Sequence, residues 1–307
     1  MELVLFRTIR IWKGDFIMKA TQEKEADLGN SIIGKLLFKL ALPAILAQII
    51  NVMYNMVDRM YIGHIADVGP SALTGVGVTM PLIMAISAFA ALVSMGGAPR
   101  ASIMMGKGDK ETAEKILGNC TTMLVLMAAV LTAVILLFGK PILLMFGASD
   151  NTIGYAWDYM SIYAMGTIFV QISLGLNAFI NAQGYARTGM LTVAIGAVCN
   201  IILDPILIFG FDMGVKGAAL ATILSQAVSF VWVLRFLTSG KSFLRIRKGY
   251  LKLSADIILP CIGLGVSPFI MQFTESIISV CFNTSLLKYG GDIAVGAMTI
   301  MPSVMQF

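Results

Sequence analysis

Residues 190–211, MLTVAIGAVCNIILDPILIFGF, hold one charged side chain, Asp204, in an otherwise uncharged and mostly apolar run. A run of roughly 20 such residues crosses a bilayer as a helix. An ionised carboxylate at that depth costs at least about 2.5–3.5 kcal/mol, so a chain that keeps one uses it or neutralises it. A second acid has the same setting, Asp58 in NVMYNMVDRMYIG, residues 51–63. Together the two aspartates point to a proton or cation site inside a membrane protein.

Composition agrees with that reading. Of 307 residues, 58% are hydrophobic and 13% charged, where a soluble domain carries about 25% charged residues. The apolar runs are much longer than the roughly 10-residue alternating strands of a membrane barrel, so the spans are helices. The fold class is therefore all-α, a polytopic membrane helix bundle. The net charge of +5 is spread over short connections and not gathered on a soluble module. That argues against a nucleic-acid partner and for a topology signal. Cys120, Cys199, Cys261 and Cys281 are scattered without a CxxC pair, and His64 is the single histidine. Such a set makes a metal cluster or a Ser-His-Asp triad a poor fit, so neither an enzyme nor a cofactor is expected.

Spans are predicted at 40–63, 71–98, 116–138, 155–182, 190–211, 216–238 and 256–286, with an eighth starting near 293. Glycine and proline mark the joints HIADVGP, GKGDKE, FGKP, AQGYARTG and GFDMGVKG. Positive charges sort the connections. One side takes the N-terminal group from Arg7 to Lys39, then Arg100, Lys107, Lys110 and Lys115, then Arg187, then Lys241, Arg245, Arg247, Lys248 and Lys252. The other side takes Lys140, Lys216 and Lys288 with His64. The bias predicts a multi-pass protein of the plasma (inner) membrane with a cytoplasmic N-terminus. Residues 1–35 are expected to form a cytoplasmic segment, with Met18 as an alternative start. Tyr155, Trp157, Tyr159 and Tyr163 are expected to form an interfacial aromatic belt that includes Asp158.

A faint internal repeat sets the domain expectation. KLALPAILAQIINVMYNM (39–56) resembles GLGVSPFIMQFTESIISV (263–280), with Gln48 on Gln272, and TGVGVTMP (74–81) resembles VGAMTIMP (295–302). A parallel duplication of a six-span unit follows. It predicts a six-helix N-lobe over 36–238, a basic cytoplasmic linker over 239–255 and an incomplete C-lobe over 256–307, so the chain is expected to be a fragment.

Within the spans, Asn200 and Asp204 stand four residues apart and share a helix face. Pro205 has no N–H and leaves the Ile201 carbonyl without its helix partner. A carboxylate, an amide and a loosened carbonyl are oxygen ligands of the kind that hard cations prefer, so Na⁺ at Asp204 and Asn200 is a candidate. Pro43 offers a hinge in span one. Arg59 points about 100° away from Asp58 and need not pair with it. Asn177, Asn181, Thr222 and Gln226 read singly as interhelical glue, while Glu275 is a further intramembrane acid. If Asp58 and Asp204 share a site, their mutual repulsion lets the pair hold a proton near neutral pH, or release it when Na⁺ binds.

LALPAILAQIINVMYNMVDRMYIGH (40–64), the GKGDKETAEK loop (106–115) and NIILDPILIFGFDMGVKGAALAT (200–222) resemble the multidrug and toxic compound extrusion (MATE) family, in its DinF/MepA-like branch. The resemblance implies two six-helix lobes that export cationic or amphipathic compounds in exchange for Na⁺ or H⁺. It implies a cation or proton site built from Asp58, Asn177, Asn200, Asp204 and Thr222. It also implies a possible C-lobe site at Glu275, and a need for the rest of the C-lobe in transport. Alternatives are a lipid-linked oligosaccharide flippase of the same superfamily, which would line its cavity with Arg and Lys, or a non-transporting one-lobe membrane subunit.

Overall fold

Hydrocarbon offers the backbone no hydrogen-bond partners, so each apolar run satisfies its own N–H and C=O groups by coiling. The computed structural model describes residues 33–66 and 68–305. The segment 1–32 with the alternative start Met18, and Asp67, lie outside the described residues. Helices run as α1 (Ile33–Gly63), α2 (Gly69–Gly106), α3 (Lys110–Met145), α4 (Ile153–Met165), α5 (Thr167–Ala182), α6 (Ala186–Pro205), α7 (Gly214–Thr238) and α8 (Ala255–Met305). A π turn, Ile206–Gly210, continues α6 past Pro205. Among the described residues, 6 helices are long and apolar enough to cross a membrane, and the bent pair α4–α5 makes a seventh.

That pair corresponds to the single span predicted over 155–182, and the structure bends it by 60° at Gly166. A Cβ on Gly166 would collide with Ile223 Cδ1, so α7 presses on the chain at the break. The expected FGKP joint and the span end at 138 need correction: α3 runs through Gly139 and Pro141 to Met145, and the chain turns at Gly147 instead. Elsewhere joints follow the expected glycines. Gly108, Gly147 and Gly184 have φ of +78°, +98° and +87°, a left-handed region open to residues without Cβ. Asp109 then caps α3, its Oδ1 accepting from Thr112 N at 3.0 Å.

The expected seventh and eighth spans form the two halves of α8, which breaks at Gly291 (φ +66°, ψ −167°). The first half runs antiparallel to α2. A Cβ on Gly96 would meet the Cys261 carbonyl oxygen, one on Gly265 would meet that of Leu92, and Ser276 Oγ donates to Pro81 O at 2.6 Å. The second half returns along α2, with Gly296 against Thr74 and Thr299 against Gly77. This α2–α8 pairing is the most extensive helix contact in the fold.

Basic connections gather at one end of the bundle. Lys110 Nζ lies 4.5 Å from the Phe243 ring, and Tyr185 Oη donates to Lys241 O at 3.0 Å. At the opposite end Asn151 Nδ2 reaches Asp292 Oδ2 at 3.5 Å, and Lys216 pairs with Asp158 at 3.5 Å. The aromatic belt needs correction. Tyr159 and Tyr163 are 3% and 5% exposed, with their rings stacked at 6.2 Å inside the bundle. They stand four residues apart on the α4 face that packs inward, and Tyr155 and Trp157 pack only partly buried against the same core.

Candidate functional site

Asp58 stands near the end of α1 and Asp204 on the last turn of α6, and the two helices pack along each other. Both side chains are buried, at 5% and 0% exposure. Their carboxyl groups are within hydrogen-bonding reach of each other. The i, i+4 spacing works as the sequence predicts, since Asn200 Nδ2 donates to Asp204 Oδ1 at 3.2 Å. The π turn begins directly after Pro205, so the regular α-helical bonding of α6 stops one residue beyond the acid. Such turns recur at functional positions.

A cavity of about 260 Å³ opens beside this pair, walled by α1, α5, α6 and α7. Asn177, Asn200 and Thr222 line it, so the structure brings these predicted residues to one place. Asn177 Nδ2 donates to Gly189 O at 3.3 Å, and Thr222 Oγ1 donates to Ala218 O at 3.0 Å in its own helix. The Thr222 bond uses its one hydroxyl hydrogen, and Asn177 keeps an amide oxygen without a donor. The remaining polar lining includes Gln48, Asn51, Ser173 and Gln226, with Ser173 Oγ donating to Gln226 Oε1 at 2.9 Å. No Lys, Arg, Asp or Glu stands among the lining residues.

The acceptors are in excess. Asp58 Oδ1, Asp204 Oδ2, Asn200 Oδ1 and Asn177 Oδ1 are all buried without a hydrogen-bond donor. An orphaned buried acceptor costs about 1–3 kcal/mol, more when charged; those of Asn200 and Asp204 lie one turn apart beside Asp58, whereas Asn177 bonds Gly189 O about three turns before Asn200 on α6. A proton or a hard cation is the species that satisfies them.

Two residues of the site escaped the sequence reading. Tyr54 lines the cavity one turn before Asp58, and the i, i+4 spacing was a signal that could have found it. Tyr159, expected in the belt, lies within hydrogen-bonding reach of Thr222; no local pattern marks it. Pro43 lies inside an unbroken α1. Glu275 is exposed on α8 and takes no part in the cavity lining. Arg59 turns to other helices, Nη1 donating to the Thr299 carbonyl of α8 and Nη2 lying 3.9 Å from Met80 Sδ of α2.

Comparison with known proteins places this arrangement. The MatE family model matches residues 43–206, more than half of the chain. The multidrug export protein MepA of Staphylococcus haemolyticus (strain JCSC1435) is 25% identical over 278 residues, covering 91% of this chain and 61% of the relative. MepA of Staphylococcus aureus (strain NCTC 8325 / PS 47) is 23% identical with the same coverage. The chain therefore spans about three-fifths of the length of these relatives. Among solved structures, the MATE multidrug transporter DinF-BH superposes with a TM-score of 0.86 at 32% identity, covering 93% of this chain and 64% of that one. A MOP superfamily transporter from Pyrococcus furiosus Vc1 (DSM3638) shares the fold, with a TM-score of 0.81 at 23% identity over 92% of this chain and 63% of that one. With the family match over more than half its length and the helical bundle those structures share, this chain belongs to the MatE family, whose members are multi-pass membrane transporters and not enzymes.

Proposed function

We propose that this chain carries the ion-binding part of a multidrug exporter, which moves cationic or amphipathic compounds outward in exchange for Na⁺ or H⁺. The observation that carries the proposal is the set of donor-less buried oxygens on Asp58, Asn200 and Asp204, with Asn177 and Thr222 lining the adjoining cavity. A shared proton bridges the two carboxylates; Na⁺ draws on the same oxygens and sheds that proton. Occupancy changes the charge between α1 and α6, and Pro43 gives α1 a place to bend in response. Alternating access then needs two lobes rocking about a midplane site, so the 307 residues alone are proposed not to transport.

The uncharged cavity lining favours an exporter over a flippase for a pyrophosphate-linked lipid, whose anionic head would call for basic side chains in the wall. The clustering of basic connections at one end supports a plasma-membrane orientation with that end, and the N-terminus, in the cytoplasm.

The test uses everted membrane vesicles holding the complete gene product. A Na⁺ gradient and a pH gradient are imposed separately while efflux of a fluorescent cationic dye is followed. One of them drives transport in the wild type, and Asp204→Asn abolishes that drive while the protein still reaches the membrane folded. Efflux in Asp204→Asn that still follows either gradient would sink the proposal, as would efflux by residues 1–307 expressed alone for its two-lobe part.

A further inference from the structure

The connection 239–254 joins α7 to α8, and it is clipped along its length instead of hanging free. Gln183 Oε1 accepts from Ser242 Oγ at 2.9 Å and from Leu244 N at 2.8 Å. Asn119 Oδ1 accepts from Ser254 N at 2.7 Å, and Thr122 Oγ1 donates to Leu251 O at 2.6 Å. Glu114 Oε1 accepts from Arg245 N at 3.3 Å, while its Oε2 holds Arg247 Nε at 2.7 Å. Glu114, Asn119 and Gln183 are all buried. These hydrogen bonds and the ion pair fix the connection as a strap across the end of α3 and the α5–α6 turn.

The clips also sort its side chains. Ser242 and Leu244 point in and are buried, whereas Lys241, Phe243 and Arg245 point out. Lys248, Lys252 and Leu253 are exposed farther along. Among the described residues, no carboxylate lies within ion-pair distance of Lys241, Arg245, Lys248 or Lys252; the pairs that form use Lys115, Lys216 and Arg247. Because α7 and α8 are membrane spans, a strap that joins their ends lies at the bilayer surface. It carries cations with exposed apolar rings and chains between them.

We propose that this strap is a docking surface for anionic phospholipid headgroups of the leaflet it lies in. Four unneutralised basic side chains within a Debye length of an anionic surface are attracted together. Phe243 and Leu253, 37% and 41% exposed, enter the boundary between headgroups and acyl chains. The buried clips have already ordered the backbone, so little conformational freedom is lost when lipid binds. This inference concerns a different part of the molecule from the ion site and stands whether or not the chain transports.

Native mass spectrometry of the complete purified protein, released from nanodiscs of mixed phosphatidylglycerol and phosphatidylcholine, tests it. The wild type retains phosphatidylglycerol over phosphatidylcholine by roughly tenfold, and raised salt during nanodisc equilibration erases the preference. The quadruple variant Lys241→Gln, Arg245→Gln, Lys248→Gln, Lys252→Gln loses most of it while its melting temperature in phosphatidylcholine hardly moves, since the clips to α3 and α5 use none of these side chains and the bond from Arg245 Nη2 to Gly240 O is exposed. A second variant, Gln183→Ala, keeps every charge but loosens the strap, and lowers the preference by less than the quadruple change. Retention by the quadruple variant equal to the wild type overturns the proposal and leaves the basic residues as a topology signal only. No preference in the wild type overturns it equally.

Discussion

Asp58 of α1 and Asp204 of α6 bring their carboxyl groups within hydrogen-bonding reach of each other, although almost half the chain lies between them. Each also keeps one buried oxygen without a donor. Two acids in such contact act as one titrating unit. On the proposed mechanism, Asp58→Asn and Asp204→Asn each lower ion-driven efflux by at least about tenfold, and the double variant is hardly worse than either single one. Groups that act as a unit give such non-additive losses. A double-mutant cycle on efflux rates checks this, and independent, additive losses would show that the carboxylates work apart.

Gly265 sets the distance between α8 and α2. A Cβ there would collide with the Leu92 carbonyl oxygen, a backbone atom that cannot swing aside. Gly265→Ala therefore destabilises by about 1–3 kcal/mol through forced separation of the helices. Gly263→Ala is the control. Nothing lies within 4 Å of its Cβ position, and alanine's better helix propensity makes that change neutral or stabilising by up to about 1 kcal/mol. Thermal unfolding in detergent reads both.

Glu114 is buried while its partner Arg247 is 57% exposed at the side chain. Removing the carboxylate returns Arg247 to water and does not strand a buried cation. Glu114→Gln therefore costs on the order of 1 kcal/mol, well short of the roughly 3–5 kcal/mol lost when a fully buried pair is broken. The amide oxygen still accepts from Arg245 N. Glu114→Leu removes that acceptor as well, and proteolysis within 239–254 accelerates more in this variant than in Glu114→Gln.

Asp109 lies outside the spans and caps α3. The hydrogen bonds from Thr112 hold its carboxyl below the usual aspartate range, outweighing the small effect of desolvation. The folded value lies below the unfolded one, so the cap stabilises α3 above the ordinary aspartate value of about 3.9 and the benefit fades as pH falls through the folded value. The protection factor of the first-turn amides of α3, taken against the intrinsic exchange rate at each pH, is accordingly higher at neutral pH than in acid. In Asp109→Ala it is low throughout.

Long apolar runs mark where the helices lie, because hydrocarbon leaves the backbone no other arrangement, although span 155–182 is two helices and the last two runs share α8. The Asn200–Asp204 pair was equally legible, since a four-residue spacing is a local geometric fact. What could not be read were contacts decided by neighbours distant in sequence. The 60° break at Gly166 depends on Ile223 of α7. Tyr159 looked like a belt residue because tyrosines near a span end usually are; its burial depends on which face of α4 meets the rest of the bundle. Asp58 owes its burial to packing of α1 on α6, which no local pattern marks. The predicted site residues came together partly from spacing and partly from family likeness. Tyr54, four residues before Asp58, lies on the same face of α1 by spacing alone.

The reversal of α8 at Gly291 lays one half of it down α2 and the other back up again. Along both passes the closest approaches are glycines against backbone or a single hydroxyl: Gly96 and Gly265 on the way down, Gly77 and Gly296 on the return. Small residues of that kind let two backbones approach closely, and the Phe89 and Phe269 rings, 5.1 Å apart, add a side-chain contact on the first pass. A larger side chain at any of these four glycines would therefore push α8 off α2.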